Sequence, residues 1–217
     1  LCPELKVVGV AGPGDPLASH HALDALSRIK GEYPDLISCL STNGLMLPEN
    51  MERMLLSGVE ALTVTVNSVD PRILSHINRF VLYKGSLIEG IEAQEILIDA
   101  QMRGIKLARE NAMIVKINTV LIPGVNDGHV PEIARKVKEW GAEILNIIPL
   151  IPAGELSHLS PPSSDDYRRA SQSAERELPV KMNCRRCRAD ACGVPGVSDY
   201  SREIYGEITF EETFSHG

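Results

Sequence analysis

The chain has 217 residues, with 22 Lys and Arg against 29 Asp and Glu, which gives a formal charge of -7. Its 43% hydrophobic and 24% charged residues are typical of a globular protein with a substantial core, which excludes disorder, collagen and fibre. The acidic balance and the 4% aromatic content argue against a nucleic-acid partner, because such proteins need clustered Lys and Arg or stacking platforms. No apolar run approaches the roughly 18 residues of a membrane span. We therefore expect a small ligand and no membrane partner.

The cysteine count is odd, with thiols at Cys2, Cys39, Cys184, Cys187 and Cys192. An odd set in a chain of this size does not suit a disulfide framework, so we expect a reducing cytoplasm and a metal or redox role for some thiols. The opening LCPELKVVGV has neither signal-peptide features nor an initiator Met, and it enters a strand almost at once. We therefore interpret the chain as a fragment.

Apolar runs of strand length recur along the chain, each followed by a segment of helical periodicity. The predicted strands span residues 5–11, 36–40, 62–66, 114–122 and 144–151, and the predicted helices lie near 16–32, 48–56, 87–109, 131–140 and 165–177. Nearly continuous runs of Val, Ile and Thr are typical of parallel strands covered on both faces. About five βα units predict an α/β protein with a parallel sheet, either open or curled into a barrel.

The composition changes after residue 152. Residues 153–217 begin with a Pro- and Ser-rich loop, continue through one predicted helix and reach an irregular Cys-rich segment, MNCRRCRADACGVPG. We therefore divide the chain into a sheet-forming part, residues 1–152, and an irregular extension, residues 153–217. In such sheets the functional groups gather at the carboxyl ends of the strands.

The first predicted strand ends in the turn AGPGDP, which contains Gly12, Gly14 and Asp15. Two glycines and two prolines leave carbonyl groups that the turn cannot all satisfy, so these could face a ligand's ammonium group. Helix N-terminal amides there could instead hold an anion. A third interpretation is an ordinary βα turn in which Asp15 caps the helix and Pro16 occupies its first position. The turn is not a GxGxxG fingerprint, which disfavours a dinucleotide-binding fold.

The second predicted strand is followed by Ser41, Thr42, Asn43 and Gly44. Hydroxyl and amide groups at a strand end suit the polar groups of a small ligand, and Gly44 permits a positive φ angle. Cys39 lies two residues before Ser41 and therefore shares its strand face. From composition alone, a thiol there is more often a small core residue than a ligand.

The fourth predicted strand carries Lys116 and Asn118 on one face. Burying this polar pair inside a barrel would be costly unless a ligand or an acidic partner satisfied it, so we predict a binding role. Asn67 and Asn146 also occupy strands or strand ends, which is unusual because Asn disfavours strands. The asparagines are therefore predicted to be placed for hydrogen bonding.

Cys184 and Cys187 form a CxxC pair flanked by arginines, which favour thiolate over thiol. The spacing predicts metal or cluster ligation. A thioredoxin-type pair would sit at a helix start after a strand, and a zinc site would need two further ligands, such as Cys192 with His158 or His216. A zinc knuckle that reads RNA is opposed by the acidic charge.

Six motifs follow one another in the order AGPGDP, CLSTNG, TVTVN, VKINTVLIPGVND, NIIPLIP and CRRCRADACG. In this order and spacing they resemble the NifB family of radical S-adenosylmethionine (SAM) enzymes, from about residue 5 to residue 196. The strand-end motifs alone indicate only the wider radical SAM superfamily, whereas the last motif is specific. The resemblance implies a partial (β/α)6 radical SAM barrel without its first strand, followed by a Cys-containing extension.

The resemblance implies roles for individual residues. The turn with Gly12, Gly14 and Asp15 takes the place of a GGEP-like turn that contacts the methionine amino group of SAM. Further SAM or cavity contacts are implied for the other strand-end residues, Ser41, Thr42, Asn43, Asn67, Lys116, Asn118 and Pro149. Cys39, Cys184 and Cys187 are similar to ligands of two auxiliary 4Fe-4S clusters.

The function implied by the resemblance is fusion of two 4Fe-4S clusters, with carbide insertion, into the 8Fe precursor of the nitrogenase cofactor. A further 4Fe-4S cluster cleaves SAM in such enzymes. The implied partners are iron-sulfur cluster donors, cofactor carrier or scaffold proteins, and an electron donor such as ferredoxin or flavodoxin. The CxxxCxxC motif for the SAM-cleaving cluster is absent from the sequence, so we expect the fragment alone to be inactive.

Two alternatives stay open. The chain could belong to a different radical SAM enzyme, one that uses the CxxC pair for an electron-transfer cluster. It could also be a non-catalytic scaffold that carries a cluster or metal to partners.

Overall fold

The computed structural model describes residues 5–12, 14–181, 193, 198 and 200. Its strands are β1 Val7–Val10, β2 Ile37–Thr42, β3 Val59–Thr65, β4 Phe80–Tyr83, β5 Ser86–Glu89, β6 Ile114–Leu121 and β7 Ile144–Pro149. Its helices are α1 His21–Glu32, α2 Leu47–Leu56, α3 Pro71–Leu74, α4 Gly90–Glu110, α5 Val130–Trp140 and α6 Ser164–Glu175, with short 3-10 helices at Pro16–Ala18 and Gly154–Leu156.

Five parallel strands form one sheet in the order β1-β2-β3-β6-β7. Within the described residues β1 and β7 are the two edges of this sheet, so it is open and not a closed barrel. The predicted α/β fold with about five βα units is confirmed. Each crossover between parallel strands carries a helix, as a sheet of this kind requires.

Each strand of the sheet has one face against the helices. In β6 the side chains of Val115, Ile117, Thr119 and Leu121 are fully buried, and the alternate ones are only partly covered or exposed. Strand side chains alternate between faces, so the buried set faces α4, and its Val115, Ile117 and Leu121 belong to the main core. The alternate set forms the second face, which we call the open face.

Helices α2 and α4 approach closely on the core side of the sheet. A Cβ atom at Gly104 of α4 would lie 2.3 Å from Cβ of Leu47, which begins α2. Any larger residue at this point would have to separate the two helices. The contact also places Gln101, one turn earlier on α4, beside the strand ends.

The segment between β3 and α4 differs from the sequence prediction. Residues 87–89 were expected to begin the third predicted helix, but they belong to β5, which pairs with β4 in an antiparallel hairpin. Lys84 and Gly85 at its turn have φ angles of 51° and 80°, the positive values that a two-residue hairpin turn favours. No element was predicted for residues 80–83, which form β4.

The described part of the 153–217 extension packs against the sheet-forming part of the chain. Helix α6 packs on α5 and β7, and its Ala170 and Ala174 join the main core. Beyond it, Val180 forms a parallel bridge with Leu145 at the outer edge of β7. Within the described residues, no helix has the length and apolarity to cross a membrane.

Candidate functional site

The open face of the parallel sheet collects the predicted site residues in rows across the strands. Residues in register are Gly9, Cys39 and Ala61 in one row, and Ser41, Thr63 and Lys116 in the next. A third row holds Thr65, Asn118 and Asn146. Neighbouring strands lie about 4.8 Å apart, so each row places its side chains in direct succession.

Lys116 lies on the open face in register with Thr63, as the period of the strand predicts. Its side chain is half-buried, and among the described residues Nζ has no ion pair or hydrogen bond. A partly buried ammonium group without a counter-charge is costly, so its presence favours an anionic ligand at this place.

Asn118 and Asn146 are linked side chain to side chain. Nδ2 of Asn146 donates to Oδ1 of Asn118 at 2.9 Å, and the two residues are in register on β6 and β7. Asn146 is only 1% exposed, and its Oδ1 has no hydrogen-bond partner in the described part of the chain. This polar pair occupies the interior of a sheet whose other buried positions are mostly apolar.

Asp15 fastens the turn after β1 to the end of β2. Its carboxylate accepts hydrogen bonds from the backbone N–H of Leu17 at 2.9 Å, the Thr42 hydroxyl at 2.8 Å and the backbone N–H of Asn43 at 2.6 Å. The interpretation of Asp15 as a cap with Pro16 in the first turn is confirmed, for a 3-10 helix of three residues. Both carboxylate oxygens are therefore engaged within the protein.

Thr42 and Ser41 face opposite sides of the sheet. Thr42 is 4% exposed, and its hydroxyl also accepts from the backbone N–H of Gly44 at 3.1 Å. Ser41 is half-buried on the open face, in register with Thr63. Of the two predicted hydroxyl contacts, Ser41 is therefore the one that the alternation of β2 directs to the open face.

The turns after β1 and β2 contain glycines in the left-handed region. Gly14 has a φ angle of 83° and Gly44 one of 90°, which other residues adopt only with strain. No heavy atom lies within 4 Å of a Cβ placed at Gly12 or Gly14, so space remains beside this backbone. A Cβ at Gly44 would instead lie 2.7 Å from Cγ of Gln101.

Gln101 of α4 was not predicted as part of the site. It is 2% exposed, and its Nε2 donates to the carbonyl oxygens of Asn43 at 2.7 Å and Thr65 at 3.0 Å. These bonds join the ends of β2 and β3 from the side of the sheet that the helices cover. The one sequence signal is a glutamine on the apolar face of a helix, which by itself is weak.

Asn67 and Asn126 connect the ends of β3 and β6. Oδ1 of Asn67 accepts from the backbone N–H of Val120 at 2.9 Å, which leaves its Nδ2 as the remaining donor. Asn126 is fully buried: its Nδ2 donates to the carbonyl oxygens of Asn67 and Val120, and its Oδ1 accepts from the backbone N–H of Ile122. Asn126 was not predicted either, although it lies within the motif VKINTVLIPGVND.

Cys39 is half-buried on the open face between two small residues. Its neighbours in register are Gly9 of β1 and Ala61 of β3, and a Cβ placed at Gly9 would lie 3.8 Å from Cβ of Cys39. Small flanking residues leave room around the thiol for a bulky group. Cys184 and Cys187 lie outside the described residues, and no group of three or more His, Cys, Asp or Glu in the described part could hold a metal ion.

A cavity separate from the open face lies between α3, α4 and α5. This cavity of about 530 Å³ is lined by charged residues of both signs, among them Asp70, Glu132 and Lys136, together with His129. Burial lowers the pKa of His129, an effect that the nearby carboxylates of Asp70 and Glu132 oppose. Its Nε2 accepts from the backbone N–H of Val69 at 3.3 Å, so the neutral ring is the form that fits.

Comparisons with known proteins place these features in a family. Residues 6–137 match the Radical SAM superfamily. The chain is 44% identical over 192 residues to the FeMo cofactor biosynthesis protein NifB of Methanocaldococcus jannaschii, covering 88% of this chain and 64% of that protein. It is 40% identical over 210 residues to the protein of the same name from Methanocaldococcus infernus, covering 97% and 69%. The chain belongs to the NifB family of radical SAM proteins.

The chain spans about two thirds of these two NifB proteins. It spans between 40% and 47% of six further relatives of the same name. Among solved structures, a radical SAM methyltransferase from Sphaerobacter thermophilus has a TM-score of 0.59 at 22% identity, covering 82% of this chain and 50% of that one. This likeness shows a shared fold.

The open face of this NifB-family chain fits the groups that radical SAM proteins hold. Lys116, Asn118 and Asn67 offer donors for the oxygen and nitrogen acceptors of SAM, and the open backbone at Gly12 and Gly14 offers acceptors for its ammonium group. The thiol of Cys39 is a soft ligand of the type that iron-sulfur clusters take. The predicted roles of these residues and of Pro149, which ends β7 in register with Leu121, stay predictions.

Proposed function

We propose that this chain is the SAM-binding part of a radical SAM enzyme that fuses two 4Fe-4S clusters, with carbide insertion, into the 8Fe precursor of the nitrogenase cofactor. Family membership supports the proposal, and one observation carries it: Cys39 shares the open face with Lys116 and Asn118. When bound, a reduced 4Fe-4S cluster supplies the electron that cleaves SAM, and SAM supplies the methyl carbon that becomes the carbide.

The open face would orient SAM through its own polar groups. Lys116 places an ammonium group where it can neutralise the carboxylate of SAM, and its half-buried position strengthens that attraction. The carbonyls of the turn at Gly12 and Gly14 accept from the amino group. The NH₂ groups of Asn67 and Asn118 donate to acceptors of the nucleoside, because their own Oδ1 atoms are already bonded.

Cys39 would hold one of the substrate clusters. The residues that flank it in register, Gly9 and Ala61, are small, which would favour the approach of a cluster to the thiolate. We assign Cys184 and Cys187 to the same task, as their CxxC spacing permits both thiols to bind one cluster. The partners we propose are iron-sulfur cluster donors, cofactor carrier or scaffold proteins, and ferredoxin or flavodoxin as the electron donor.

Anaerobic reconstitution of the intact gene product tests the cluster assignment. In the Cys39→Ala variant and in the Cys184→Ala/Cys187→Ala variant, we expect iron content and the EPR signals of the auxiliary clusters to fall. Cofactor-free nitrogenase should no longer be activated by the products of either variant. Cys2→Ala is the matched control, because Cys2 belongs to none of the six motifs that carry the resemblance, and it should retain the iron content of the wild type.

Three results would count against the proposal. Unchanged iron content and EPR spectra in both variants would remove the ligand assignment. SAM cleavage without a product that activates cofactor-free nitrogenase would indicate a different radical SAM enzyme. Bound clusters without any SAM cleavage would indicate a carrier scaffold.

A further inference from the structure

Asn146 is a buried amide in the middle of a strand, where side chains of this type are disfavoured. It is 1% exposed, and its Oδ1 has no partner among the described residues. A buried polar atom without a hydrogen bond costs free energy, and an apolar side chain would avoid that cost. Packing alone therefore does not explain why an amide occupies this position.

The one hydrogen bond of the Asn146 side chain runs to Asn118. Nδ2 of Asn146 donates to Oδ1 of Asn118 at 2.9 Å, and the two residues lie opposite each other on β6 and β7. This bond orients the Asn118 amide with its oxygen toward Asn146, so its NH₂ group is directed away from Asn146. Asn118 is half-buried, so this group can reach a ligand on the open face.

Asn67 shows the same arrangement at the end of β3. Its Oδ1 accepts from the backbone N–H of Val120, which fixes the orientation of the amide and leaves its NH₂ group as the donor. With Lys116, these residues provide three nitrogen donors, and the rows of Lys116 and Asn118 contain no competing carboxylate. This set suits a ligand with many acceptor atoms, such as a carboxylate, ribose oxygens and ring nitrogens.

We propose that Asn146 is a positioning residue, which holds the Asn118 amide with its NH₂ group toward an acceptor atom of SAM. The inference rests on the proposed function, because it takes SAM as the ligand of the open face. Asn146 itself does not contact SAM, since its Oδ1 is enclosed by protein atoms. Its effect on binding passes through Asn118 alone.

The test is a double-mutant cycle on equilibrium binding of SAM. Titration calorimetry of the intact protein, reconstituted anaerobically and kept oxidised so that SAM is not consumed, gives Kd for the wild type, Asn146→Leu, Asn118→Ala and the double variant. We expect Kd to rise about tenfold in each single variant, the size of one lost hydrogen bond. The double variant should bind no more weakly than Asn118→Ala, because the two residues act as one unit.

Ser38→Ala is the matched control. Ser38 is also a fully buried polar residue of the sheet without a hydrogen bond in the described part of the chain, but it faces the helices. Its removal should leave Kd unchanged. If the Asn146→Leu variant does not fold, Asn146→Asp is used in its place. A carboxylate has the same size as the amide, but it cannot donate a hydrogen bond to Oδ1 of Asn118.

The possible failures are distinguishable. If the wild type does not bind SAM, both the proposed function and this inference are wrong. If the wild type binds SAM and the variant at Asn146 binds it with the same Kd, only this inference is wrong. A double variant whose loss equals the product of the two single losses also overturns it, because the residues would then act independently.

Discussion

The Thr42 hydroxyl donates to the carboxylate of Asp15 at 2.8 Å, and this bond joins the turn after β1 to the end of β2. The same carboxylate accepts the backbone N–H groups of Leu17 and Asn43. One side chain therefore determines how the backbone at Gly12 and Gly14 meets the second strand. The geometry of the candidate SAM turn depends on a residue whose own oxygens are already used within the protein.

Replacing Asp15 by Asn should loosen this connection. An amide has only one oxygen, so the backbone N–H of either Leu17 or Asn43 loses its acceptor, at a cost of about 0.5–1.5 kcal/mol in the free energy of unfolding. Urea denaturation measures that loss. Asp35→Asn is the control and should change stability little, because Asp35 is exposed and its side chain makes no hydrogen bond or ion pair within the described residues. Equal stability of the two variants would contradict the role given to Asp15.

Gly104 should tolerate no side chain. A Cβ at this position would lie 2.3 Å from Cβ of Leu47, so Gly104→Ala must push α2 and α4 apart. Overpacking of this kind costs about 1–3 kcal/mol, more than the gain in helix propensity. Gly31→Ala on α1 is the matched helical control, since nothing lies within 4 Å of its Cβ, and it should be neutral or stabilising. A stabilised Gly104→Ala would show that the helix contact is looser than described.

The sequence was sufficient for the parallel sheet and for much of its open face. Strands covered by helices are nearly continuous in hydrophobicity, and the two-residue period alone places Lys116 and Asn118 on one face. The Asp15 cap was also predictable, because Asp before Pro is a local signal. The bond from Thr42 to Asp15 was not, since it depends on how two parallel strands are aligned.

Residues that act from outside the strands escaped prediction. Gln101 reaches two strand ends from α4, and Asn126 reaches back to Asn67 from the turn after β6. Each is a single polar residue within an otherwise ordinary pattern, so only the three-dimensional contact shows its role. The β4–β5 hairpin was missed for a related reason, because Lys84 and Gly85 were not recognised as a turn.

Lys116→Met should stabilise the protein while weakening SAM binding. Removing a half-buried ammonium group that has no partner in the described part of the chain relieves a desolvation cost, so we expect a gain of about 1 kcal/mol in the free energy of unfolding. Calorimetry should show at least tenfold weaker SAM binding, because the carboxylate of SAM loses its counter-charge. Lys106→Met on the exposed side of α4 should change neither quantity. Full SAM affinity in Lys116→Met would exclude contact between Lys116 and the carboxylate.

His129 should make the stability of the protein depend on pH. Burial lowers its pKa in the folded state, and Nε2 accepts from the backbone N–H of Val69, a bond that a protonated ring cannot make. The unfolded chain, with a His pKa of about 6.5, therefore takes up the proton first as the pH falls. Since the unfolded state then binds more protons, the free energy of unfolding must decrease as the pH falls below about 6.5.

Urea denaturation over a pH series checks this expectation. His129→Gln lacks the titrating ring, so its stability should depend less on pH than that of the wild type in this window. Burial lowers the pKa of the ring and the carboxylates of Asp70 and Glu132 raise it, so the slope reports the balance between these two effects. His76→Gln removes an exposed imidazole and should keep the wild-type slope. If His129→Gln and the wild type have parallel curves, the ring is not held neutral by the fold, and the bond from Val69 does not form in solution.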